Sequence, residues 1–221
     1  MSIPEKYLST FEENATYHVY NRTNNHELLF KSEENYQFFL KQYRKYLYPF
    51  VESFAYCLLP NHFHFIIKVR AIKEMEGHLQ SLSSESLIKA EKLFLEQPEK
   101  YLSDLIEASF HRFFTSYSMA LNKMYNRHGN LFHRPFKRFK VNDDTQFCQL
   151  MVYVHANAQK HQLVKSFKNY KWTSYHSFIS NSATLLEREY VFGIFGSKEQ
   201  FFAFHETQAE YYYTINDSMD D

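Results

Sequence analysis

Three short segments near the start of the chain alternate polar and apolar residues or run apolar, and all are rich in β-formers. They are residues 17–20 (YHVY), 53–58 (SFAYCL) and 62–69 (HFHFIIKV). Each reads as a strand, the third covered on at least one face. Between the first two, Tyr36, Phe39, Leu40, Tyr43 and Leu47 recur at helical spacing, which predicts a helix from Glu33 to Leu47 with Ser32 as its cap. Leu59-Pro60-Asn61 reads as the turn joining the second and third strands. Residues 71–101 lose this patterning, are charged, and are Ser-rich at 81–86, so they read as a mobile, partly helical insertion. A stripe of Leu105, Ile106, Phe110, Phe113, Tyr117, Leu121 and Met124 then predicts a long helix from about Ser103 to Arg127, ended by Gly129. Residues 131–141 (LFHRPFKRFKV) look extended, with Pro135 pointing to an edge strand or loop. Asp143 or Asp144 caps a helix running to about Asn157, and a short amphipathic helix is expected near 197–205. This order suits an α+β fold: an antiparallel sheet with helices on one side, of the ferredoxin-like type.

Composition narrows the class. Aromatic residues make up 19% of the 221 (23 Phe and 18 Tyr), against 4 Gly and 5 Pro, so the chain must bury many rings and is neither disordered nor collagen-like. No stretch reaches 18 consecutive apolar residues and the N-terminus has no signal-type apolar run, which predicts a soluble cytoplasmic protein with no membrane partner. Cys57 and Cys148 each lie in an apolar run and read as buried thiols.

The net charge is zero, with 25 Lys+Arg against 25 Asp+Glu, yet the charges are unevenly placed. Between Ala108 and Asn142 stand Arg112, Lys123, Arg127, Arg134, Lys137, Arg138 and Lys140, with no acidic residue among them. Residues 206–221 form an acidic tail. Phe132, Phe136 and Phe139 interleave with the cations, which suits single-stranded nucleic acid, where cations track phosphates and rings stack on bases. An amphipathic strand beside a solvated helix face accounts for the same pattern.

Two motifs carry candidate chemistry. In a strand, His62 and His64 point to one side and Phe63 to the other, which makes half of a divalent-metal site or a pair of hydrogen-bonded histidines on a sheet face. On the predicted helix after Asp143, Tyr153 and Asn157 are four apart, so one stands above the other. The tyrosine there could be a nucleophile and the amide a ligand or positioning group, although packing is the ordinary role of a tyrosine in so aromatic a chain. The scattered glycines build no phosphate-cradling loop, and zinc-deaminase, Cys-zinc and G-x-S-x-G patterns are absent.

The run Leu58-Leu59-Pro60-Asn61-His62-Phe63-His64-Phe65-Ile66 resembles the metal-binding strand of the HUH single-tyrosine transposases. Four more segments look like that family's, in its order: Tyr17 to Arg22, Gly129 to Lys137, Tyr153 to Asn157, and Lys171 to Tyr175. The extended C-terminus makes the chain most similar to the REP-associated type. The resemblance implies a ferredoxin-like (RRM-like) catalytic domain over 1–205, interrupted by the insertion at 71–101, with a C-terminal extension. It implies cutting and rejoining of single-stranded DNA near hairpins through a covalent 5′-phosphotyrosine. Tyr153 would be the nucleophile, and His62, His64 and Asn157 the ligands of Mg²⁺ or Mn²⁺. The DNA would be held by Arg22, Arg112, Arg127, Arg134, Lys137, Arg138 and Lys140. Relatives include both monomers and homodimers, so the assembly state stays open. One departure is Ala158, where the family often has Pro, a change that touches the helix end rather than the chemistry. The alternative is a catalytically silent module of the same fold that binds hairpin DNA or RNA. A metal-dependent hydrolase of a small phosphate ester would leave the basic, aromatic segment unexplained.

Overall fold

The structure, a computed structural model, describes residues 7–209. Four strands, β1 (Thr16–Arg22), β2 (Val51–Leu59), β3 (His62–Val69) and β4 (Lys137–Lys140), form one antiparallel sheet in the order β2-β3-β1-β4. Helix α1 (Glu33–Tyr46) connects β1 to β2. Helices α2 (Ile72–Gln80), α3 (Lys89–Glu96) and α4 (Pro98–Met124) lie between β3 and β4. With α1 and α4 as its two crossovers, this is the ferredoxin-like topology.

Ser32 stands at the N-cap of α1 in extended backbone, but its side chain makes no capping bond; its carbonyl accepts from the Asn35 amide instead. α4 begins several residues before the expected Ser103, because Pro98 occupies its first turn, where the missing N–H costs nothing. Residues 71–101 are partly helical, with turns over 81–88, and their helices join the core: Met75, Leu79 and Phe94 are fully buried. Glu91, itself buried, pairs with Arg112 of α4 at 2.8 Å.

Helices cover both faces of the sheet rather than one. On the first face, Tyr17 and Val19 of β1 and Phe63, Phe65, Ile67 and Val69 of β3 pack under α1 and α4. There Phe39 lies within 6.2 Å, ring centre to ring centre, of Phe63, Phe65, Phe113 and Tyr117. Such pairs add about 0.5–1.5 kcal/mol each beyond burial, and they absorb much of the aromatic excess. The second face carries α5 (Asp144–Lys160), capped by Asp143, whose side chain accepts from the Gln146 amide at 2.8 Å. α6 (Tyr175–Ile179), α7 (Arg188–Phe195) and α8 (Lys198–Ala209) complete that layer. A register shift between Ser53 and Ala55 turns Ala55, Cys57 and Leu59 of β2 toward α5. Both cysteines are free, Cys57 fully buried and Cys148 half-buried. The acidic tail from 210 onward lies outside the described residues; Glu206 to Ala209 belong to α8.

Both sheet edges are covered. Residues 172–174 run along β2, with the Leu58 amide donating to the Trp172 carbonyl and the Ser174 amide to the Tyr56 carbonyl, each at 2.9 Å. Trp172 stacks on Tyr36 at 4.3 Å and 7°. On the far side, Leu8 bridges to Arg138 of β4. Among the described residues no helix is long and apolar enough to cross a membrane.

Candidate functional site

β3 divides its side chains as its alternation requires. Phe63 enters the α1/α4 core, while His62 and His64 face α5. On β1, Arg22 lies opposite His62 and Tyr20 opposite His64. Nδ1 of His62 is 2.7 Å from Oδ1 of Asn61, so with the amide oxygen as acceptor the imidazole proton sits on Nδ1 and Nε2 keeps its lone pair. Nδ1 of His64 is 3.0 Å from Nε2 of His18, which occupies that nitrogen and leaves Nε2 as the other. The ring centres of His62 and His64 are 5.3 Å apart. Two imidazoles on adjacent positions of one ion, with metal–nitrogen distances of about 2.1 Å, hold their centres roughly 5 Å apart. The ring-centre separation of His62 and His64 is close to that value.

α5 supplies a second set of side chains at helical spacing. Tyr153 is buried, 3% exposed, and its ring stands edge-on to His64 at 5.6 Å and to His18 at 5.9 Å. Lys160, two turns further on, places its ammonium 5.3 Å from the Tyr153 ring centre. His161 meets His62 at 4.9 Å. Asn157, one turn above Tyr153, is fully buried, and neither its Oδ1 nor its Nδ2 has a hydrogen-bond partner. Leaving a buried amide unsatisfied costs about 1–3 kcal/mol per group, and such a group calls for a ligand, ion or water. Among the described residues no group of three or more His, Cys, Asp and Glu is placed to hold a metal.

A cavity of about 230 Å³ opens over the two histidines, walled also by Arg22, His26, Asn61 and His161. Tyr153 and Asn157 are buried and not part of this wall. A larger groove of about 540 Å³ runs between α4 and residues 129–136, with His111, His133 and Arg134 in its walls. Asn21 borders both spaces. Burial and the nearby Arg22 and Lys137 hold the His133 imidazole below its ordinary pKa.

The acid-free run of cations does not stay unpartnered in the fold. Arg127 grips Glu27 with two nitrogens at 2.5 and 2.9 Å and donates to the carbonyls of Gly129 and Asn130. Arg112 pairs with Glu91, and Lys140 with Glu12 at 2.7 Å. Arg138 is 6% exposed, lies between the rings of Phe11 and Phe136, and bonds Glu107 and the Ser9 carbonyl. Each of these four cations thus has an acidic partner within the fold. Burial outweighs the Glu107 charge and lowers the Arg138 pKa. Arg134 is exposed, and Lys137 lies over the rings of Tyr7 and Tyr20.

His18, Tyr20, Lys160 and His161 pack against the candidate site residues, and the sequence did not single them out. The last two carried a readable signal, since 153, 157, 160 and 161 share one helical face.

No protein-family model matches the chain, and no curated protein does either. Among solved structures, one of a REP-associated tyrosine transposase bound to a REP hairpin is similar over 85% of this chain and 94% of that one, with a TM-score of 0.53 and 13% identity. The sheet order and its covering helices agree with that likeness. The chain thus has the fold of a REP-associated tyrosine transposase.

Proposed function

We propose that the protein is a metal-dependent single-stranded DNA endonuclease and strand transferase that acts at hairpin-associated sites through a covalent 5′-phosphotyrosine. One observation carries the reading: the Tyr153 ring packs against His64, one of two histidines that share a face and a cavity. His62, His64 and the amide of Asn157 would hold Mg²⁺ or Mn²⁺. When bound, such an ion polarises a non-bridging phosphate oxygen and lowers the cost of attack. The Tyr153 oxygen attacks phosphorus and loses its proton, and the DNA 3′-oxygen leaves and takes one up, so a phosphotyrosine ester replaces a phosphodiester. The bond energy is conserved, and a 3′-hydroxyl can reverse the step without ATP. Arg22 in the small cavity, Arg134 in the groove and Lys137 over the Tyr20 ring would hold the DNA backbone.

A second reading, a module that binds hairpins without cutting them, is favoured by the cover over Tyr153. Incubation with labelled hairpin-bearing single-stranded DNA and Mg²⁺ or Mn²⁺ separates the two. The expected result is a denaturant-resistant protein–DNA adduct, lost in Tyr153→Phe and greatly reduced in His62→Ala. Binding with no adduct across a panel of substrates favours the module.

A further inference from the structure

Strands β1 and β3 bring together His18 and His64, 2% and 1% exposed, with Nε2 of one 3.0 Å from Nδ1 of the other. Two neutral imidazoles at this distance share one proton between the facing nitrogens, and two arrangements are available. If His64 donates from Nδ1, its Nε2 keeps a lone pair. If His18 donates from Nε2, the His64 proton moves to Nε2 and that nitrogen can no longer bind an ion. The contact therefore decides whether His64 is ready as a ligand.

We propose that His18 is a positioning residue: it accepts the Nδ1 proton of His64, selects the ligand-ready tautomer and fixes the plane of that ring. The assignment rests on the metal-dependent reading above. Ring geometry supports it independently of any ion. Tyr20 lies nearly parallel to both imidazoles, at 4.9 Å and 19° from His18 and at 5.5 Å and 17° from His64. Tyr153 meets both of them edge-on. The two imidazoles are thus held as one plate, braced along β1 by Tyr20 and capped from α5 by the tyrosine. A ligating histidine whose other nitrogen is held by a fixed acceptor binds its ion about 10–100-fold more tightly than one without it.

The test uses the full chain without DNA. His18→Gln keeps an amide oxygen as acceptor, and His18→Leu removes it. Long-range ¹H–¹⁵N correlation of the metal-free protein above neutral pH reports which His64 nitrogen carries the proton. It should be Nδ1 in the wild type and in His18→Gln, with Nε2 gaining the proton in His18→Leu. Calorimetric titration with Mn²⁺ should show His18→Leu weaker by roughly 10–100-fold and His18→Gln close to wild type. If His18→Leu does not fold, His18→Phe, which keeps a ring against Tyr20, takes its place. A wild-type His64 protonated at Nε2, or equal Mn²⁺ affinity in all variants, overturns the His18 role while leaving the nuclease reading standing. A wild type that takes up neither Mn²⁺ nor Mg²⁺ overturns the metal-dependent reading itself, and the His18 role with it.

Discussion

The ring of Tyr153 stands edge-on to that of His64, 5.6 Å between centres and 89° between planes. A strand and a helix from distant parts of the chain therefore deliver a histidine and a tyrosine to one spot. The ring itself is part of the packing, with Lys160 above it and His18 beside it. Tyr153→Phe removes only the hydroxyl, so it should leave stability within about 1 kcal/mol while abolishing the DNA adduct. Tyr153→Ala should cost about 3–5 kcal/mol through the cavity it opens, and its loss of adduct would say little about chemistry. Urea unfolding beside a denaturing gel for both variants makes the distinction; a Phe variant that still forms adduct would move the nucleophile elsewhere.

Asn157 offers a sharper trade-off. Its amide is fully buried with neither polar atom bonded, so in the metal-free protein it is a cost. Asn157→Leu, close in volume and apolar, should raise metal-free stability by about 1–3 kcal/mol. Mn²⁺ should raise the melting temperature of the wild type and leave that of this variant unchanged. Melting curves with EDTA and with Mn²⁺ read both effects. A variant that is less stable without metal would show that the amide has partners in solution and is no waiting ligand.

The cations divide into two groups with different expected phenotypes. Arg138→Met strips a buried guanidinium from Glu107 and the Ser9 carbonyl and should destabilise the fold by about 2 kcal/mol, with an unchanged salt slope for DNA binding. Arg134→Ala and Lys137→Ala should each leave stability nearly unchanged, weaken binding, and reduce the slope of log K against log salt by about one. DNA-binding isotherms at several salt concentrations decide it. A flatter slope in Arg138→Met and not in Arg134→Ala would reverse the division.

This split shows where sequence reading reached and where it stopped. The alternation HFHFIIKV placed His62 and His64 on one face and Phe63 on the other, as found, because strand parity is local. The β-α-β-β order with a later long helix and strand was enough for the ferredoxin-like sheet. Ion pairing was not legible: Glu12, Glu27 and Glu91 reach the basic segment only through the fold, so an acid-free stretch looked unpartnered. That helices cover the second face was not legible: α5 and the helix near 197–205 were expected, but which face they cover is set by the fold, and α6 and α7 are too short to show a clear period. Lys160 and His161 were missed for a narrower reason: the helix was ended near Asn157, and it runs to Lys160. His18 needed the β1–β3 register, which depends on which strands become neighbours.

That second layer makes its own prediction about pH. Behind the site, His155 Nδ1 is 2.8 Å from His205 Nε2, His155 Nε2 is 2.8 Å from the Ser174 hydroxyl, and His205 Nδ1 is 2.8 Å from the Phe201 carbonyl. The chain of bonds has one direction: Ser174 donates to His155, His155 to His205, and His205 to the carbonyl. Each imidazole is then neutral with a single proton. Burial, with a smaller push from His205 and then His176, holds His155 well below the ordinary imidazole pKa. Burial likewise lowers His205 to about 4. A depressed histidine stabilises the fold fully above the unfolded value of about 6.5, and that contribution is lost as pH falls toward the folded value, because the unfolded chain binds the protons. For His205 alone the loss amounts to about 3 kcal/mol between those limits. His205→Gln keeps an acceptor for His155 and cannot titrate, so it should flatten the stability change between about pH 7.5 and about pH 5. Urea midpoints of wild type and variant at the two pH values measure this. Equal wild-type midpoints would mean that the neutral pair does not hold α8 against α5.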